Sequence, residues 1–70
     1  MLSKVQVVEP ITLAELRNLT GLSIPDFSKK VEIPETSYRR YENEPEKIEI
    51  GRLLKICEIT GVPIDKIKIF

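Results

Sequence analysis

The sequence predicts an all-α domain of four to five short helices, and three observations lead to it. The chain has 70 residues, 41% hydrophobic and 31% charged, apolar enough to fold and too short to close two cores. Its apolar residues recur mainly at helical spacings of three and four. Gly21, Gly61 and the prolines fall between those runs or in a first helical turn, where each is compatible with a helix.

Lys4-Val5-Gln6-Val7-Val8 is β-branched and loosely alternating, which suits a short strand-like arm ended by Pro10. Thr12 with Glu15 three residues on is a capping box. Leu13, Leu16 and Leu19 follow at helical spacing, so a first helix is expected over 13–19, stopped by Gly21. Ser23 and Asp26 repeat the cap-plus-acid pattern, and Pro25 is tolerated because first-turn amides have no intrahelical acceptor. A second helix is expected over 24–31, with Phe27 and Val31 inward and Lys29 and Lys30 outward. Pro34 starts a third helix that ends near Glu42. Tyr38 and Tyr41 form its apolar i,i+3 pair, which makes them core residues rather than ligands. Residues 43–47 read as a loop. Ile50, Leu53, Leu54, Cys57 and Ile59 mark a fourth amphipathic helix closed by Gly61 and Pro63. Residues 64–70 suit one helical turn and a short β-like tail. The whole chain, 1–70, is thus one domain, with an N-terminal arm (1–11), a helical core (12–67) and a C-terminal tail (68–70).

A domain of this size draws about 3–5 kcal/mol from its core and has little room for a deep catalytic pocket. There is no His, and Cys57 is the single cysteine. An intrachain disulfide, a His-based general base and a conventional zinc cluster are therefore excluded. No metal, no cofactor and no enzymatic activity are expected. Eleven Lys and Arg balance eleven Asp and Glu, with a pI near 6.3, so any basic patch is local. The apolar runs are too short to cross a membrane, and Met1-Leu2-Ser3-Lys4 opens neither a signal peptide nor a lipidation motif, which makes the expected location cytoplasmic.

Three short helices, with a tight turn between the second and third, and a fourth helix behind them are what a helix-turn-helix domain requires. The chain resembles the Cro/CI-type (XRE-like) family of phage and bacterial regulators through Leu13-x-x-Leu16-Arg17, Gly21-Leu22-Ser23, Phe27-Ser28-x-x-Val31-x-Ile33, Tyr38-x-x-Tyr41-Glu42-Asn43 and Leu53-Leu54-x-Ile56-Cys57-x-x-x-Gly61-Val62. The resemblance spans 12–67. It implies a lambda-repressor-like fold whose helix at about 35–42 lies in the DNA major groove, supported by the helix at 24–31. It also implies an ion pair between Arg17 and Glu42, and a small residue, Ser28, where the second and third helices cross.

Under that reading, Glu35, Thr36, Arg39 and Arg40 share one outward face and are the expected base-reading residues. Arg39 or Arg40 would grip guanine O6 and N7, Thr36 would meet a thymine methyl, and Glu35 would accept from cytosine N4. Ser23, the first amides of its helix, Lys29, Lys30, Ser37 and Asn43 are expected at phosphates. Three positions depart from the family pattern: Ile24 stands where Gln is common, Glu32 where the turn commonly has Gly, and Pro34 where Ser or Thr usually caps the third helix. Residues 28–41 hold four bases and two acids, whereas residues 42–49 hold four acids and one base, so a modest positive face is edged by a negative one.

The implied partner is an operator in double-stranded DNA, an inverted repeat bound by a homodimer, and the implied role is a phage-like or mobile-element repressor. The apolar ends, Val5 to Val8 and Ile67 to Phe70, can pair as strands within one chain or across a dimer. The competing reading is an antitoxin-like or adaptor module that keeps the fold for protein contacts, favoured by Ile24 and the acidic stretch around Glu44 and Glu46.

Overall fold

A computed structural model describes residues 8–69. Four α-helices, α1 (Leu13–Thr20), α2 (Ile24–Lys30), α3 (Glu35–Asn43) and α4 (Ile50–Thr60), follow in order. One-turn 3-10 segments lie at Pro45–Lys47 and Ile64–Lys66. The architecture is all-α, as the sequence predicts, and α1 and α2 start at the caps Thr12 and Ser23, whereas α3 and α4 start without a side-chain cap bond. No described helix is long and apolar enough to cross a membrane.

The α1 start is a complete capping box. The Thr12 amide donates to Glu15 Oε1 at 2.9 Å and the Glu15 amide donates to Thr12 Oγ1 at 3.1 Å, so two orphan donors are satisfied reciprocally. The same contacts hold the Glu15 carboxyl below its ordinary value. Helices α1 and α4 stop by one device. Gly21 and Gly61 adopt left-handed backbone (φ 78° and 77°), which lets their amides reach back to Asn18 O and Cys57 O. In the preceding residue, the Thr20 and Thr60 hydroxyls donate to the carbonyls of Arg17 (2.6 Å) and Ile56 (2.7 Å). Each hydroxyl also accepts from the amide two residues on, that of Leu22 or Val62.

The core gathers one stripe from each helix: Leu13 and Leu16 of α1, Phe27 of α2, Tyr38 and Tyr41 of α3, and Leu53 and Ile56 of α4. Val31 and Ile33 from the α2–α3 turn, with Val62 and Ile67 from the C-terminal segment, close it. Phe27 and Tyr38 meet with ring centroids 5.2 Å apart and planes tilted by 51°, an arrangement aromatic quadrupoles favour. Ser28 is buried against α3 and its carbonyl accepts from the Ile33 amide at 3.0 Å. That bond folds the turn over α2. Within the turn, Glu32 has φ 58°, the left-handed backbone that the family pattern reserves for glycine.

Three apolar positions expected inside are on the surface: Leu19, Ile50 and Leu54 are 59%, 64% and 51% exposed. The reason is angular. At about 100° per residue, two steps of three carry Leu19 about 120° away from Leu13. Arg17 and Thr20 take the inward-side places that Leu19 would need. On α4 the buried face runs through Leu53, Ile56 and Thr60, leaving Ile50 and Leu54 one turn apart outside it.

The tail joins the core of its own chain. Ile11 and Lys66–Lys68 form a single parallel bridge, with the Ile11 amide on Lys66 O at 2.9 Å and the Lys68 amide on Ile11 O at 2.7 Å. Ile67 is buried and Ile69 packs partly against the core. The strand-like arm expected over 4–8 falls outside the described residues except for Val8, an exposed bend, as does Phe70. The loop expected at 43–47 is shorter than anticipated, because Asn43 closes α3 and Pro45 opens a 3-10 turn.

Candidate nucleic-acid interface

Helix α3 is anchored from behind. Tyr38 is fully buried and Tyr41 nearly so. The Tyr38 hydroxyl points toward the Leu13 carbonyl at 3.5 Å, and the Tyr41 hydroxyl accepts from Arg52 Nη1 at 2.8 Å. Burial, with Glu42 acting in the same direction, pushes the Tyr38 phenol far above its ordinary value, so it stays neutral and serves as packing.

Arg17 fastens the end of α3 to α1. Its Nε and Nη2 donate to the two carboxylate oxygens of Glu42 at 2.7 and 3.4 Å, and its Nη1 donates to the Leu22 carbonyl at 3.1 Å. The two side chains are 16% and 11% exposed, so this is a largely desolvated fork-to-fork pair. The Glu42 contact, foremost its hydrogen bond, raises the Arg17 pKa further above its ordinary value.

The opposite face of α3 carries Glu35, Thr36, Arg39 and Arg40, all exposed. The helix begins at Pro34, which has no side chain to cap it, and Glu35 in the first turn complements the positive helix end. Arg39 donates from Nε (3.2 Å) and Nη2 (2.8 Å) to Glu35 Oε2. Arg40 donates from Nε to Glu44 Oε1 at 3.4 Å. Both partners are i,i+4 neighbours, a spacing legible in the sequence but not drawn from it. The arginine that buttresses Tyr41, Arg52, lies on another element, and no local pattern marks it.

The expected phosphate contacts divide by how committed they are. Lys29 and Lys30 are exposed at the C-terminal end of α2, and Asn43 is exposed at the end of α3. Ser37 is half-buried beside Arg40, Tyr41, Lys47 and Glu49 in a shallow surface depression. Ser23 caps α2 by accepting from the Asp26 amide at 3.3 Å, which leaves its hydroxyl hydrogen available. The first amides of α2 offer less than the sequence suggests: Pro25 has no N–H, and that of Asp26 is taken by Ser23.

Three of the four acids of the acidic stretch each face a basic side chain. Glu42 pairs with Arg17, Glu44 with Arg40, and Glu49 approaches Arg52 at 3.9 Å. Glu46 has no ion pair among the described residues. Cys57 is partly buried on α4, and burial pushes its thiol up, which suits packing rather than nucleophilic chemistry.

No curated protein and no solved structure matches the chain. The family model described as helix-turn-helix does match it, over residues 13–67. That span runs from the first residue of α1 to the buried Ile67 and contains the α2–turn–α3 unit whose outward face has just been described. The chain therefore belongs to the Cro/CI-type helix-turn-helix family, whose members are DNA-binding regulators rather than enzymes.

Proposed function

We propose that the domain is a sequence-specific reader of double-stranded DNA that acts as a repressor of the phage-like or mobile-element kind. It lays α3 in the major groove and binds an inverted repeat as a homodimer. The observation that carries this reading is the outward face of α3, where Glu35, Thr36, Arg39 and Arg40 stand together in solvent on a helix fixed by two buried tyrosines. The intrahelical pairs of Arg39 and Arg40 do not oppose it. Exposed i,i+4 pairs are worth about 0.3–0.5 kcal/mol, whereas a bidentate arginine–guanine contact contributes about 1–3 kcal/mol of discrimination. Lys29, Lys30, Ser23, Ser37 and Asn43 surround this face as the phosphate contacts. The part-buried Arg17–Glu42 pair offsets part of the repulsion that the acidic stretch would otherwise direct at the duplex.

The homodimer reading is supported by Ile50 and Leu54, which lie one turn apart on α4 and are open to solvent. The tail is a poor dimer strand, because Ile67 is buried in its own core. The same apolar pair, with the half-buried Ile24 where a phosphate-binding side chain is usual, favours the second reading, a protein-interaction module. In vitro selection of the purified protein on random duplex DNA at moderate salt, with Arg39→Ala/Arg40→Ala in parallel, separates the two. An enriched inverted repeat that the double variant fails to enrich supports the DNA reader. No enrichment even at low salt supports the interaction module.

A further inference from the structure

We propose that Glu35 is a positioning residue that aims Arg39 at a guanine, and that Arg39 rather than Arg40 is the specificity-determining arginine of α3; this rests on the DNA-reading function proposed above. The guanidinium of Arg39 spends one edge on Glu35. Its Nε and Nη2 both donate to the single oxygen Oε2, at 3.2 and 2.8 Å. The far edge, formed by Nη1 and the second hydrogen of Nη2, is not used by this pair and belongs to a side chain 55% exposed, so it is available as a two-donor fork, the arrangement that meets O6 and N7 of guanine. Glu35 is the first residue of α3, so the pair draws the guanidinium toward the N-terminal end of the helix, the end that approaches base edges in this docking geometry. The carboxylate lies in the first turn of α3, where the positive end of the helix favours a negative charge.

Arg40 is drawn the other way. Its Nε donates to Glu44, the residue after the last turn of α3, at 3.4 Å, which turns it toward the acidic stretch and away from the reading end. Two adjacent arginines are thus pulled to opposite ends of one helix by acids four residues before and four residues after. This assignment also changes the role of Glu35. With Oε2 accepting two donors from Arg39, its first task is orientation of that side chain, not acceptance from a cytosine.

The test uses the full chain and the site enriched by selection on random duplex DNA. Binding of wild type, Glu35→Ala, Glu35→Gln, Arg39→Ala, Arg40→Ala and Glu35→Ala/Arg39→Ala is measured by competition against every single-base-pair change in one half-site. The expected result is that Glu35→Ala and Arg39→Ala relax the same guanine position, Arg39→Ala losing about tenfold discrimination there and Glu35→Ala about twofold, the factor an exposed i,i+4 pair supports. The double variant is expected to be no worse than Arg39→Ala, and Glu35→Gln, which keeps an acceptor oxygen, to retain most of the discrimination. Arg40→Ala is expected to weaken all sites by a similar factor. Relaxation by Glu35→Ala at a different base pair from Arg39→Ala, or no relaxation at all, overturns the positioning role while leaving the DNA reader standing. A wild-type protein that melts cooperatively yet enriches no sequence overturns both.

Discussion

Arg17 joins three segments through one guanidinium: α1, which carries it, Glu42 near the end of α3, and the Leu22 carbonyl in the α1–α2 turn. Removing it leaves the Glu42 carboxylate largely desolvated and unpaired, a cost well above that of losing a surface pair. Arg17→Ala is expected to destabilise the domain by about 2–4 kcal/mol, measured as a shift in the urea midpoint. Arg17→Lys is expected to recover only part of this, because a single ammonium cannot occupy three acceptors in one plane. Equal midpoints for wild type and Arg17→Ala would remove the pair from the account of stability. Glu32 shows the opposite situation, a residue at odds with its own backbone. Its φ of 58° is a glycine conformation, and its carboxylate recovers little through an exposed contact to Lys55 at 3.4 Å. Glu32→Gly is expected to be more stable than Glu32→Ala by about 1 kcal/mol. In thermal melts that is a Tm difference of about 4–8 °C, and coincident melts would mean the turn relaxes without strain.

At the scale of the element, helix ends decide where each segment stops, and two of them make separable predictions. The Glu15 carboxyl, lowered by the Thr12 amide and hydroxyl, is one. A depressed folded-state pKa contributes stability that is fully present above the unfolded value, about 4.5, and is lost as pH falls through the folded one. Glu15→Gln keeps a capping-box acceptor but cannot titrate. The wild-type urea midpoint is therefore expected to fall more between pH 6 and pH 3 than that of Glu15→Gln, and parallel pH profiles would contradict the assignment. The Thr-Gly ends of α1 and α4 are the other. Thr60 is fully buried, and its hydroxyl serves both the Ile56 carbonyl and the Val62 amide. Thr60→Val keeps the shape and removes both bonds, and a loss of about 1–3 kcal/mol is expected by chemical denaturation. The half-exposed Thr20→Val should cost less, because water can replace what the hydroxyl did. The sequence shows the same Thr-Gly pair before an apolar residue at both places, yet its meaning rests on a hydroxyl orientation that spacing does not convey.

For the whole molecule, the decisive fact is which apolar surface is already used. Ile67 and Ile69 fold back onto the core beside Ile11, so this segment is structural within its own chain. Trimming it would unfold the protein before it tested an interface, since a buried Ile is worth about 2–5 kcal/mol against a total stability of similar size. Val8, Leu19, Ile50, Leu54 and Ile64 are exposed among the described residues, and of these Ile50 and Leu54 lie one turn apart on one helix, which makes them the surface proposed for a second copy. Under the proposed homodimer, Ile50→Lys/Leu54→Lys is expected to keep a cooperative melt, lowered only by the association it loses, and to run as a monomer by light scattering where the wild type runs as a dimer. Affinity for a two-half-site duplex should then drop to that of one half-site. A double variant that remains dimeric would place the interface elsewhere.

The sequence by itself determined the number and order of the helices, the core tyrosines and the outward set on α3, because each depends on helical period and on local caps and breakers, whereas the left-handed backbone at Glu32 is imposed by the α2–α3 turn against the residue's own preference. The sequence also located the four acids between 42 and 49. The pairs of Glu44 with Arg40 and Glu49 with Arg52 follow from spacings along the chain, whereas the tertiary structure decided that Arg17 reaches Glu42 from another helix and that Arg52 also meets Tyr41. Packing likewise chose Leu53 and Ile56 over Ile50 and Leu54, and settled the tail within its own chain. A helical period fixes which residues share a face, but only the neighbouring elements decide how wide that face is and which charges meet across it.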